Sequence, residues 1–207
     1  MQSDLFGQVE TLPLENASVQ LYRQWLNGNT AESLFDELRQ NVNWQQPTIW
    51  VAGKRHKIPR LQAWYGDSHS TYRYSHTTFT ANPWLPPLSK LKSKLESFCH
   101  ARFNSVLVNL YRNGSDSMGL HADNEPELGP TPLIASITLG ASRKFVFKST
   151  SKNSKQRFGL TLNHGDLLIM AGETQKYWLH GLPKTQAPIG DRLNLTFRWV
   201  RPSTDRQ

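Results

Sequence analysis

Apolar and polar positions follow two different periods along the chain. In Arg192-Leu193-Asn194-Leu195-Thr196-Phe197-Arg198-Trp199 the period is two: Leu193, Leu195, Phe197 and Trp199 share one face, and Arg192, Asn194, Thr196 and Arg198 share the other. In Val106 to Tyr111, Val106, Val108 and Leu110 face one way, and Leu107, Asn109 and Tyr111 the other. Short β-type runs recur at 105–112, 133–139, 143–148, 157–162, 166–171, 176–180 and 192–200, separated by Gly, Pro, Asn and Asp. Such a train predicts a sandwich or barrel. The first half is mixed. Ser18 to Arg23 alternates as a strand and is ended by Asn27-Gly28-Asn29. Residues 30–42 carry the stripe Leu34, Phe35, Leu38 and Val42, which predicts a helix capped by Asn29 with Glu32 three residues on. A second helix follows Trp84-Leu85-Pro86-Pro87, with Leu88, Leu91, Leu95, Phe98 and Cys99 on one side. The pattern therefore predicts an α+β, mainly β fold in one continuous globule. Its mixed half of roughly 100 residues packs on an all-β half.

Composition narrows the function. Hydrophobic residues make up 37% of the 207, with seven Trp, which excludes a wholly disordered chain. The net charge of +8 beside so many aromatics suits a partner with flat rings and phosphates, and so nominates nucleic acid. Cys99 is the single cysteine, which excludes an internal disulfide and a Cys-rich zinc site. No apolar run approaches the roughly 20 residues that span a bilayer, so no membrane partner is expected. Met1 to Glu10 has no Lys or Arg and lacks the basic start of a signal peptide. The expected compartment is the cytoplasm, or the nucleus in a eukaryotic source.

Several residues carry candidate chemistry. The polar face of 192–198, with a guanidinium at each end, is either a solvent face or a grip for an anion, since arginine binds carboxylate in bidentate fashion. His121-Ala122-Asp123 sets an imidazole and a carboxylate two apart, and His180 follows 57 residues after Asp123. Two His and one carboxylate occupy three positions on one side of an iron and leave three open.

The ordered combination resembles the AlkB family of iron(II)- and 2-oxoglutarate-dependent dioxygenases. It is carried by Asn109-Leu110-Tyr111, His121-Ala122-Asp123-Asn124-Glu125, Ile134 to Gly140, His164 to Met170, His180-Gly181-Leu182-Pro183 and Arg192 to Arg198. Pro59-Arg60, Tyr65-Gly66-Asp67 and Tyr72 to Ser75 resemble the nucleotide-recognition part of the DNA-repair branch. The likeness covers roughly residues 45–200.

The resemblance implies a double-stranded β-helix (jelly roll) core over about 104–200, with N-terminal helices and a nucleotide-recognition lobe over about 1–103, in a single domain 1–207. By it His121, Asp123 and His180 are iron ligands. Arg192 grips the carboxylate of 2-oxoglutarate near the metal and Arg198 the distal one, and Asn109, Tyr111 and Asn194 line the same pocket. The implied reaction uses dioxygen, releases succinate and carbon dioxide, and oxidises an N-methyl group that leaves as formaldehyde. The implied substrate is alkylated DNA carrying 1-methyladenine or 3-methylcytosine, with methylated RNA or a protein side chain as the alternative. Tyr74 is the stacking aromatic, Asn124 and Glu125 meet the base edge, and Arg60, Tyr72 and Ser75 belong to the recognition part. A carboxylate at Glu125 suits these cationic lesions.

Two basic segments are expected to contact phosphates: Lys54 to Arg60, and Arg143 to Arg157 with Lys144, Lys148, Lys152 and Lys155 and no acid between. Relatives active on duplex carry a bulky wedge about where this chain has Val51-Ala52-Gly53. Ala52 is too small to fill the gap of a flipped base, and Trp50 is expected on the opposite face. Single-stranded DNA is therefore expected as substrate at least as readily as duplex, for a monomeric enzyme.

Overall fold

The structure is a computed structural model that describes residues 9–51, 53–67, 71–74, 77–152 and 154–201. In chain order its elements are β1 (Val9–Thr11), β2 (Ser18–Tyr22), α1 (Gly28–Asn41), β3 (Thr48–Val51), β4 (Lys54–Lys57), β5 (Leu61–Gly66), β6 (Thr71–Tyr74), β7 (Thr77–Thr80) and α2 (Pro86–Cys99). There follow β8 (Ser105–Tyr111), β9 (Met118–His121), β10 (Ile134–Gly140), β11 (Arg143–Ser149), β12 (Arg157–Leu162), β13 (Leu167–Ala171), the helical turn α3 (Thr174–Tyr177), β14 (Trp178–Leu182) and β15 (Arg192–Arg198).

Two antiparallel sheets form the body. The larger runs β1-β2-β13-β10-β15-β8-β5, and the smaller β12-β11-β14-β9. This is a sandwich, as the strand train predicts, in the jelly-roll form that the resemblance implies. The large sheet draws β1, β2 and β5 from before residue 103, so it extends on both sides of the expected lobe boundary. The hairpins β3–β4 and β6–β7 stand as separate two-stranded units.

Strand alternation assigns each face of the large sheet its own core. The outer face (Val106, Val108 and Leu110; Ala135, Ile137 and Leu139; Leu193, Leu195 and Phe197) packs with Leu34 and Leu38 of α1 and Leu88, Leu91 and Leu95 of α2. A second cluster joins the two sheets: Val19, Leu21, Ile134, Leu168 and Met170 from the large one meet Phe145, Phe147, Leu162 and Trp178 from the small one. The polar face of β15 therefore lies inside, toward the small sheet, and Arg192, Asn194, Thr196 and Arg198 are all buried. The solvent-face alternative is excluded by this placement.

Three local expectations change. Helix α1 is capped by Asn27, whose side chain accepts from Thr30 N–H at 2.9 Å, two residues ahead of the expected cap. The run 176–180 divides into the turn α3 and β14. The strand β9 was not expected at all; four residues with a glycine inside carry too little pattern. No helix among the described residues is long and apolar enough to cross a membrane.

Candidate active site

Strands β9 and β14 bring the two histidines together. His121 and His180 are direct register partners, so both rings project from the same face of the small sheet, 4.4 Å apart between centroids. The register shifts by one between His180 and Leu182. Gly181 permits the close approach there: a Cβ on it would meet the carbonyl oxygens of Met118 and Gly119 at 2.9 Å. Asp123 follows just beyond β9 and is buried.

The three side chains can offer one ligand atom each, all within 4.8 Å of one another. His121 Nε2 stands 3.8 Å from Asp123 Oδ1, and His180 Nε2 3.8 Å from Asp123 Oδ2. His121 Nδ1 lies 3.0 Å from the Gly119 carbonyl oxygen and donates to it, which leaves the Nε2 lone pair facing the carboxylate. Burial pushes the His180 imidazole down to about 3, helped by His121 and Arg198 and opposed by Asp123, so the ring is neutral and free to ligate. For Asp123, burial alone would raise the carboxyl, but Arg198 and the two imidazoles outweigh it and hold it at about 2. Asp123 Oδ2 and His180 Nδ1 are buried with no hydrogen-bond partner among the described residues. The neutral His180 ring, the His121 Nε2 facing the carboxylate, and an ionised carboxylate with an unpartnered buried oxygen fit a divalent metal such as iron(II).

An inner chamber adjoins this triad and is lined by Asn109, Tyr111, Arg192, Asn194 and Arg198. The two arginines stand at its two ends, in the reverse of the expected order. Arg198 Nη2 donates to Asp123 Oδ1 at 2.8 Å, so Arg198 is the metal-side guanidinium. Arg192, six residues back along β15, donates from Nη2 to Thr138 Oγ1 at 2.8 Å and to Asn194 Oδ1 at 3.0 Å, and its guanidinium carbon lies 5.4 Å from the centre of the Tyr111 ring. Register explains the reversal: the Arg198 end of β15 pairs with Ser105 and the Arg192 end with Tyr111. Arg192 is 1% exposed, yet no carboxylate among the described residues pairs with it. Burial pulls its pKa to about 10, so it still carries charge at neutral pH. A buried cation without an anion is costly, so this end of the chamber suits an anionic group.

An outer chamber shares His121, Asp123 and Arg198 with the inner one and is lined further by Pro47, Arg60, Gln62, Trp64 and Glu125. Arg60 was expected in a phosphate-contacting segment. It is instead 6% exposed and donates from Nε to Asn109 Oδ1 at 2.9 Å, bridging the two chambers. Arg143 is likewise removed from phosphate contact. It is buried and donates to the carbonyl oxygens of Asn113, Asp116 and Pro183. Lys54, Arg55, His56 and Lys57, and Lys144, Lys152, Lys155 and Arg157, are exposed. Asn124 is exposed and outside the chamber lining, whereas Glu125 belongs to it. Tyr72 and Tyr74 are placed on β6 by their backbone, while Ser75 and Ala52 lie outside the described residues.

Gln175 was missed. It is buried, and its Oε1 accepts from the Asp123 N–H at 2.9 Å while its Nε2 donates toward Met170 Sδ at 3.8 Å. No spacing rule announces a glutamine 52 residues away from the backbone it holds.

Comparison with known proteins agrees with this geometry. A profile of the 2OG-Fe(II) oxygenase superfamily matches residues 18–198. The alpha-ketoglutarate-dependent dioxygenase alkB homolog 3 of Homo sapiens is 38% identical over 203 residues, covering 94% of this chain and 70% of that one. The DNA oxidative demethylase ALKBH2 of Mus musculus is 38% identical over 182 residues, covering 84% and 76%. The chain belongs to the AlkB family of 2OG-Fe(II) oxygenases. This AlkB-family enzyme is thus an iron(II)- and 2-oxoglutarate-dependent dioxygenase, with His121, Asp123 and His180 as its metal triad. The solved structure of OsALKBH1 shares the fold at a TM-score of 0.61 and 18% identity, covering 92% of this chain and 99% of that one.

Proposed function

We propose that this oxygenase demethylates N-alkylated bases in DNA, 1-methyladenine and 3-methylcytosine, with formaldehyde, succinate and carbon dioxide as products. The observation that carries the reading is the outer chamber, which opens onto the metal triad and sets the Glu125 carboxylate in its wall within a chain of net charge +8. Both lesions are cationic near neutral pH and their parent bases are not, so an acid there selects the lesion. The relatives named DNA oxidative demethylase support the same substrate class.

Bound iron(II) supplies the activation of dioxygen. The chain's own residues do the positioning. Arg198 holds the Asp123 carboxylate and takes the metal-side carboxylate of 2-oxoglutarate, and Arg192 takes the distal one beside Tyr111 and Thr138. Asn109 and Asn194 line the space between. Arg60 ties the Asn109 side of this wall to the outer chamber. Glu125 meets the base edge, and Tyr74 stacks on the base. A duplex hides the methylated edge, so the base enters flipped out or from a single strand. With only Ala52 at the wedge position, single-stranded DNA serves at least as well as duplex.

The test is repair of an oligonucleotide carrying one 1-methyladenine by purified protein with iron(II), ascorbate and 2-oxoglutarate, followed by mass spectrometry. Loss of one methyl group that depends on 2-oxoglutarate is expected, on single strand at least as fast as on duplex. Consumption of 2-oxoglutarate with no methyl loss from either form would overturn the DNA reading and leave the oxygenase.

A further inference from the structure

The hairpin β3–β4 leaves the body at the rim of the outer chamber. Its base is closed by Ile58 N–H donating to the Pro47 carbonyl at 3.0 Å and by Gln46 Nε2 donating to the Ile58 carbonyl at 2.9 Å. Pro47 and Arg60, just outside the two strands, line the chamber. Four residues at ~3.3 Å each carry the strands about 13 Å beyond that rim.

Trp50 stands on this hairpin 66% exposed. The expectation for its orientation was set against Ala52, which lies outside the described residues. The register partner of Trp50 is Arg55, and Thr48 pairs with Lys57, so Thr48, Trp50, Arg55 and Lys57 form one face. The Arg55 guanidinium carbon lies 5.9 Å from the centre of the indole. Every residue of β4 is exposed, and no acid occurs from residue 42 to residue 66. Most of the indole surface is in water, so Trp50 adds little to the core.

We propose that Trp50 is a stacking platform for an unpaired nucleobase next to the target nucleotide, with Arg55 and Lys57 taking the adjacent phosphates. The proposal rests on the reading of the substrate as nucleic acid and goes further by assigning a second binding point outside the chamber. Charge selects the occupant: a ring beside two cations, in a segment that holds no acid from residue 42 to residue 66, complements the alternation of flat base and phosphate along a strand. A guanidinium over the indole favours one orientation of the ring. Strand pairing selects the state of the nucleic acid. In a duplex each base face is covered by the next base, so the platform finds a free face only on a single strand.

The test is fluorescence anisotropy of the full chain with dye-labelled undamaged oligothymidylate, oligouridylate and a DNA duplex. Trp50→Ala is expected to weaken single-strand binding about ten-fold, Trp50→Phe to retain most of it, and duplex binding to stay within about two-fold. A loss on oligothymidylate alone assigns the platform to DNA, and a loss on both polymers to single strands generally. Abasic oligomers should bind wild type and Trp50→Ala alike. Equal affinity of the two proteins for both single-stranded polymers would overturn the platform, as would an equal loss on duplex. Because these strands carry no lesion, failure of the repair assay with the Trp50 effect intact would count against the demethylase reading alone.

Discussion

Arg198 and Asp123 form a buried charge pair at 2.8 Å, so one guanidinium both steadies a metal ligand and faces the co-substrate chamber. Among the described residues, Arg192 at the other end of the same strand has no such carboxylate. The two arginines are therefore separable by co-substrate chemistry. Arg192→Ala is expected to raise the KM for 2-oxoglutarate at least ten-fold while changing little for 2-oxovalerate, which lacks the distal carboxylate. Arg198→Ala should impair both acids. Equal sensitivity of both variants to the distal carboxylate would show that the ends have been assigned wrongly.

Asp123→Ala removes the anionic member of the triad and breaks its buried charge pair with Arg198. Catalysis should vanish and iron content after reconstitution, read by elemental analysis, should fall to background. Binding of single-stranded DNA should largely survive, because the exposed cations lie elsewhere. Stability should also fall, by about 3 kcal/mol, the cost of breaking a buried pair.

Gln175 acts as a positioning residue through the Asp123 backbone. Gln175→Leu keeps the volume but loses the acceptor for the Asp123 N–H. Iron affinity should drop about 10–100-fold, measured by titration of the apoprotein, with a smaller change in melting temperature. Gln175→Glu, which retains an acceptor, should recover most of the affinity. A loss of melting temperature with unchanged iron affinity would mean that Gln175 serves packing alone.

A pH dependence follows at the turn before β9. Asp116 accepts from Arg112 N–H at 3.0 Å, Nε at 2.7 Å and Nη2 at 2.9 Å. Burial by itself would raise this carboxyl, but the Arg112 bonds and charge, with Arg143, outweigh it and hold it below the usual carboxylate range. A carboxyl lowered by folding adds stability above its unfolded pKa and loses it as pH falls through the folded value. Asp116→Asn should therefore cost about 1 kcal/mol at pH 7, a modest figure because Arg112 is partly in water. That is about 2–4 °C in Tm for a chain of this size. The gap from wild type should close as the pH is taken below about 4.

The strands carrying a long period-two pattern were legible because burying one face constrains alternate residues. That pattern predicted β8 and β15 and put Asn109 with Tyr111, and Asn194 with the two arginines, on shared faces, while their co-substrate role was implied by the resemblance to the AlkB family. The triad was legible through the resemblance of the ordered motifs to the AlkB family, since the His121–Asp123 spacing alone is weak. What escaped depended on contacts between distant segments. Gly181 and a register shift set His121 beside His180, Gln175 reaches Asp123 across 52 residues, and Arg60 turns inward to Asn109 while its basic neighbours stay in water. A run of like charges does not tell which member is buried, and a single strand does not tell which of its ends meets the metal.

Strand β15 carries Leu193, Leu195 and Phe197 into the helix-covered core and Arg192, Asn194 and Arg198 into the chamber. Displaced by one position, it would drive two guanidinium groups into hydrocarbon and leave three apolar side chains lining the place where a dicarboxylate sits. No intermediate parity exists. A one-residue slip of this strand is thus strongly disfavoured in the folded state, which keeps both arginines on the chamber side.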